Sequence, residues 1–336
     1  MANGSLYKKE KSEQIKRSNK AKRMVLLILL ASFAVFLVIG ALSVAKEGVG
    51  AFLHTLLSIN PFYYGISLLL LFLGNLVGFP KWQRFIENLK IKIPKKKNLM
   101  IYLSMFSMDI TPGRWGRAVA GYTLNRVTHT PFAKTFPAIA ADIFTDFLGF
   151  IVVVFVTSFL VGKFTALTVF IGLLLMVPFL FIFYKKPFKY IKGKWKRFTF
   201  LKRFFREGES YFASSKRISL GSYLYAMLFT IPSMVISGLS LFFVILAFGI
   251  HLPISYLPTI LFIYSSALLF GIVSGIPAAL GVTDAILIGY LSAFLPGMGL
   301  NFGVASAITI FFRLGSIWFV AATGFAFLFY TTRYWK

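Results

Sequence analysis

Apolar residues dominate six stretches long enough to cross a bilayer, approximately 24–45, 61–79, 136–161, 164–184, 222–250 and 301–330. A helical crossing needs about 20 residues. Between the first two, Ala51 to Ile59 is expected to form a short helix along the outer surface. Two further segments, 98–126 and 254–297, are built differently. Each consists of two apolar arms joined by a Pro/Gly break, ITPGRWG in one and GIPAALG in the other. The pattern predicts an all-α polytopic membrane protein, with six full spans plus two Pro/Gly-broken re-entrant helical hairpins.

Polar positions set the sidedness. Residues 1–23 hold eight Lys or Arg, 81–97 hold seven and 185–217 hold twelve, whereas the connections on the opposite side hold very few. Cytoplasmic loops carry the excess of basic residues, so both termini are expected in the cytoplasm, in the cell (plasma) membrane. A full crossing by the broken segments would put Arg114 and Arg117 outside and a base-free 276–281 tip in the cytoplasm, which favours hairpins. Met24 to Ala45 is longer than the apolar core of a signal peptide and reads as a retained anchor. The expected organisation is a basic cytoplasmic tail, 1–23, followed by one transmembrane domain, 24–336, with a basic cytoplasmic loop at 185–217. That loop mixes bases with aromatics and suits a surface of anionic headgroups.

Composition narrows the function classes. The chain is 58% hydrophobic and 14% charged, with a net charge of +26. A soluble domain carries about a quarter charged residues. In a soluble protein such a charge would suggest nucleic acid, but here the bases cluster between apolar runs, so membrane orientation and anionic lipid account for them. With no cysteine and only three scattered histidines (His54, His129 and His251), neither a thiol site nor a metal site is expected. No cofactor is expected, there is no glycine-rich phosphate loop, and no catalytic constellation is readable.

The two breaks resemble each other. PGRWGR from Pro112 and PAALGV from Pro277 share a proline followed four residues later by glycine, and each precedes a long apolar helix bearing charge. Placed on the topology above, the halves (approximately 98–161 and 254–330) have opposite orientations, the arrangement of an inverted-repeat transporter with its site near the midplane. Pro112 and Pro277 break the helix, while Gly113, Gly116 and Gly281 allow close backbone approach. The second arm of each hairpin starts at the tip, where free N–H groups and the positive dipole end favour an anion. Arg114, Arg117 and Arg313 add full charge suited to a phosphate. The intramembrane acids are Asp109, Asp142, Asp146 and Asp284. Each costs on the order of 3 kcal/mol at the bilayer centre and calls for a partner or a role. Asp142 and Asp146 share a helix face. Two roles stand open: ion pairing with Arg114, Arg117 or Arg126 (and of Asp284 with Arg313), or proton coupling.

Residues 111–150, TPGRWGRAVAGYTLNRVTHTPFAKTFPAIAADIFTDFLGF, resemble a block of the membrane region of lysylphosphatidylglycerol synthases and their stand-alone flippase-like relatives. There a Pro-Gly-Gly-x-Gly turn is followed downstream by Glu-Arg-x-x-Asp. Residues 276–325 are similar to the second block, Pro-Gly-Gly-x-Gly-x-x-Glu followed by a helix containing Arg. Pro112, Gly113 and Gly116 match the first turn, and Asp142 and Asp146 stand for its Glu and Asp. Pro277 and Gly281 match the second, with Asp284 for the Glu and Arg313 for the Arg. Ala278 and Ala279 stand where glycines are usual, Ile143 replaces an arginine, and Arg114 and Arg117 match no assigned position. The resemblance implies a lipid translocase that moves anionic or aminoacylated phospholipids, or polyprenyl-phosphate-linked lipids. The chain is not expected to be an aminoacyltransferase, since 336 residues leave no room for that soluble domain. Two other readings stay open: a secondary transporter of a small soluble anion, and a membrane partner of a glycosyltransferase or synthetase.

Overall fold

The computed structural model describes residues 30, 34–46, 48–162 and 214–335. Among these the elements are helical, with no strand. Helix α1 runs over Ala34–Lys46 and α2 over Val49–Leu57, close to the expected outer helix. Helix α3 (Pro61–Val77) starts with a proline at its first position and an Asn60 cap, whose side chain accepts from Phe62 N at 2.9 Å. Helix α4 (Phe79–Asn88) follows across Gly78. Helices α5 (Lys95–Met105) and α6 (Val119–Thr128) flank the first break. Helix α7 (Phe132–Val161) ends at Gly162 in the left-handed conformation, and α8 covers Leu220–Ala247. Helices α9 (Leu257–Val273) and α10 (Val282–Phe294) flank the second break. Helix α11 (Phe302–Arg313), a π-helical turn (Leu314–Phe319) and α12 (Val320–Tyr334) form one long rod.

Among the described residues, six helical stretches are long and apolar enough to cross a membrane. Four of them coincide with spans expected from sequence. Of the expected spans, 164–184 lies outside the described residues and 24–45 is described from Ala34 apart from Leu30. The other two stretches are Ile254–Val273 and Pro277–Phe294, the two arms of the second broken segment. The α-helical arms of the first break are shorter, 11 and 10 residues against 17 and 13 in the second. The helical run also continues past 79, where a cytoplasmic loop was expected. Helices α3 and α4 form one apolar stretch, Pro61–Asn88, and α4 buries Lys81, Trp82, Phe85 and Ile86.

One core joins α7 to α11 through Phe147, Phe150, Leu241, Ile263, Leu287 and Phe312. A second joins α4 to α7 through Trp82, Phe85, Ile101, Met105 and Ile139. Between them a small cluster of Ile110, Ala278, Leu280, Ile317 and Ala321 packs the two breaks together. Exposed apolar residues such as Phe159, Leu224 and Leu228 are the surface a bilayer would cover. Close approach fixes the rod. Gly324 of α12 lies against the backbone of Phe106 and Ser107, leaving no room for a Cβ.

Candidate functional site

Pro112 and Pro277 interrupt their helices, and the next two residues of each break turn left-handed. Gly113 has φ 56° and Arg114 φ 60°; Ala278 has φ 52° and Ala279 φ 54°. Only glycine adopts this region freely, and an L-residue there is strained by about 1 kcal/mol or more. At the first break, a Cβ on Gly116 would sit 2.6 Å from Met108 O. Its N–H donates to Thr111 Oγ1 at 2.6 Å. At the second, Gly281 (φ 80°) caps α10 and donates from its N–H to Asp284 at 2.8 Å. The two tips touch, Ala278 N donating to Ile110 O at 2.7 Å.

The first tip carries a buried cluster of charge. Arg117 grips Asp109 in a fork, Nε to Oδ1 at 2.7 Å and Nη2 to Oδ2 at 2.8 Å. Its Nη1 donates to Asp142 Oδ2 and Asp146 Oδ2, both at 2.7 Å. Their spacing of four on α7 points both acids at it. Arg114 Nη1 donates to Asp146 Oδ2 at 3.1 Å. Lys81 reaches in from α4, with Nζ 3.2 Å from Asp142 Oδ1 and a hydrogen bond to Asp146 Oδ1. Three carboxylates therefore face three cations: Asp109, Asp142 and Asp146 against Lys81, Arg114 and Arg117.

The second tip holds a single pair. Arg313 Nε lies 2.9 Å from Asp284 Oδ1, and Arg313 Nη2 donates to the carbonyl of Ala278. Arg313 thus clamps the strained turn while Asp284 caps the helix that follows it. Both are buried.

A cavity of about 120 Å³ lies beside the contact between the tips. Asp109, Arg114, Arg117 and Asp146 line it on one side and Arg313, Ala278 and Ala279 on the other, with Asn75, Ser233, Ser237 and Tyr264 between. Every sequence-identified site residue is at one of the two tips or on the helices packed against them. Arg126 is the exception among the suggested ion-pair partners. It is exposed and makes none of these pairs.

Lys81 is the residue that sequence reasoning missed, having been counted with the cytoplasmic bases of 81–97. The signal was there: Lys81 and Phe85, and Trp82 and Ile86, are i, i+4 pairs on one apolar face of α4. A lysine on a buried face requires a buried acid. Among the described residues no group of His, Cys, Asp and Glu is arranged to hold a metal ion.

The fold and this buried charge define a multi-pass, membrane-embedded α-helical protein with an ion-paired centre. The chain belongs to the family described as the lysylphosphatidylglycerol synthase TM region, which it matches over residues 29–324. No curated protein matches it. The family associates the domain with lipid handling.

Proposed function

We propose that the protein is a lipid translocase of the flippase type, moving an anionic or aminoacylated phospholipid, or a polyprenyl-phosphate-linked lipid, between leaflets. The observation that carries this reading is the charged cavity between the tips, with cationic donors on both walls. Helices α5 and α6, of 11 and 10 residues, extend about 15 Å each, half of the ~30 Å hydrocarbon core. That supports a re-entrant hairpin at the first break. The second unit repeats the order: helix, proline, two left-handed residues, helix, then a long helix bearing charge. This supports an inverted repeat of approximately 98–161 and 254–330, even though its hairpin arms are longer. The basic segments favour N- and C-termini on the cytoplasmic side of the plasma membrane, facing anionic lipid.

The three arginines divide the work. Arg117 and Arg313 are held by their carboxylate partners and position the tips. Arg114 is 20% exposed; among the described residues its guanidinium donates one hydrogen bond, to Asp146, and lies 3.9 Å from Asp109. A guanidinium has five N–H donors, so Arg114 is the group that takes the headgroup phosphate, while the acyl chains stay in lipid. The test is leaflet exchange of labelled phosphatidylglycerol, its lysylated form and a polyprenyl phosphate in liposomes holding the purified protein. Bilayer-impermeant quenching reports the outer leaflet. Arg114→Ala is expected to fold and to lose at least tenfold in exchange rate, since a charge-assisted hydrogen bond contributes about 1.5–3 kcal/mol. Undiminished exchange in that variant would remove Arg114 from the site. The small cavity also favours a second reading, transport of a small soluble anion. Saturable uptake of such an anion, with no movement of any lipid, would establish it instead.

A further inference from the structure

We propose that an anionic lipid crosses together with one proton, and that Asp146 carries that proton. The inference rests on the translocase reading above and concerns how the charge of its cargo is handled. The first-tip cluster is closed in charge: Asp109, Asp142 and Asp146 against Lys81, Arg114 and Arg117. A phosphodiester entering this cluster adds one negative charge that no resident cation balances. Uncompensated charge at membrane depth is expensive. One proton taken up with the headgroup restores neutrality, so the empty and loaded proteins both present a neutral centre to the bilayer.

Geometry selects the acceptor. Asp142 is fully buried and does not line the cavity. Asp109 lines it, but both its oxygens are held by Arg117. Asp146 lines the cavity, is 15% exposed and shares its Oδ2 with Arg114, the arginine assigned to the phosphate. When the phosphate recruits Arg114, Asp146 loses that partner at the moment the extra negative charge arrives. The groups facing it from the packed elements are Lys81 of α4, Arg114 and Arg117 of the tip and Asp142 on its own helix. Tyr102 of α5, Tyr264 of α9, Ser233 and Ser237 of α8 and Arg313 of α11 complete the cavity wall. None of these supplies an unpaired cation.

The experiment uses the full chain in liposomes containing a trace of labelled phosphatidylglycerol, with a pH gradient or a potassium-diffusion potential imposed separately. Coupling of one proton to one lipid predicts that a gradient of one pH unit enriches the label about tenfold in the leaflet facing the more alkaline side. It also predicts that the potential alone produces no enrichment. Asp146→Asn is expected to lose the pH response and to become sensitive to potential, about tenfold per 59 mV. Enrichment by potential and not by pH in the unsubstituted protein overturns the inference, and that outcome does not depend on any variant folding. Exchange indifferent to both gradients overturns it while leaving the translocase reading intact. Absence of exchange for every lipid overturns both. Loss of the pH response in Asp109→Asn but not in Asp146→Asn overturns the assignment to Asp146.

Discussion

The two tips share a backbone and differ in charge. After proline each takes two successive left-handed residues, Gly113-Arg114 and Ala278-Ala279, and each is packed against a long helix carrying ionisable groups. The first tip gathers six charged side chains from itself, α4 and α7, whereas the second holds one arginine and one aspartate that fasten its own turn. The comparison separates two uses of buried charge. At the second tip the pair is a clamp, complete within the protein. At the first, Asp109, Asp146 and Arg114 are partly exposed, so the cluster has a face open to a ligand.

Removing the centre of the larger cluster should have the largest effect. Arg117→Ala leaves Asp109 without its forked partner and Asp142 dependent on Lys81, and breaking a buried pair costs about 3–5 kcal/mol. The protein is expected to lose its folded population, measured by thermal unfolding in detergent; a stable Arg117→Ala variant would show that the cluster does not hold the first tip. Arg313→Ala is expected to cost about 3 kcal/mol by stranding Asp284. Arg313→Met combined with Asp284→Leu should recover most of that loss, because an apolar pair of similar volume replaces a buried ion pair at little cost. If the double variant is as unstable as the single one, the clamp is more than a pair. Lys81→Met is expected to cost about 2 kcal/mol, the size of a hydrogen bond to a charged group. No change in its melting temperature would return Lys81 to the basic surface. At the smallest end, Ala278→Gly relieves a left-handed alanine and should stabilise by a few tenths to about 1 kcal/mol, strain relief being partly offset by the freedom glycine gains when unfolded. Destabilisation there would break the likeness of the two turns.

Much of this could be read along the chain. Composition and run length identified the membrane protein, and the paired Pro/Gly breaks marked the residues that meet at the tips. The spacing of Asp142 and Asp146 predicted one shared helix face, and Arg117 bonds both. Asp284 with Arg313 was equally legible, as the only opposite charges in that half able to pair at depth. Other features were not. Lys81 follows a proline after an apolar run, so it reads as the start of a loop until α4 packs its face against α7. The division between Arg117 and Arg114 depends on which guanidinium points inward, and linear order carries no such information. The arms of the second break hold 17 and 13 residues, near the limit of a crossing, so run length alone does not separate a hairpin from two spans. At Ala278-Ala279 alanine signals helix by propensity, so only the likeness to a Pro-Gly-Gly turn pointed to the left-handed backbone there.

The distribution of the first-tip cluster along the chain has a consequence for biosynthesis. Arg117 lies 25 residues ahead of Asp142, and Lys81 lies 61 ahead of it. These cations therefore leave the ribosome before α7, which carries Asp142 and Asp146. Until α7 arrives, α4 and the first tip hold more positive charge than Asp109 can neutralise, and hydrocarbon does not accept them. The segment from Phe79 to Thr128 is then expected to wait at the headgroup level or against the insertion machinery, and to sink to its final depth only when α7 arrives. A nascent chain truncated before Asp142 would leave α5 and α6 open to water-soluble reagents, and one extended past Asp146 would close them off.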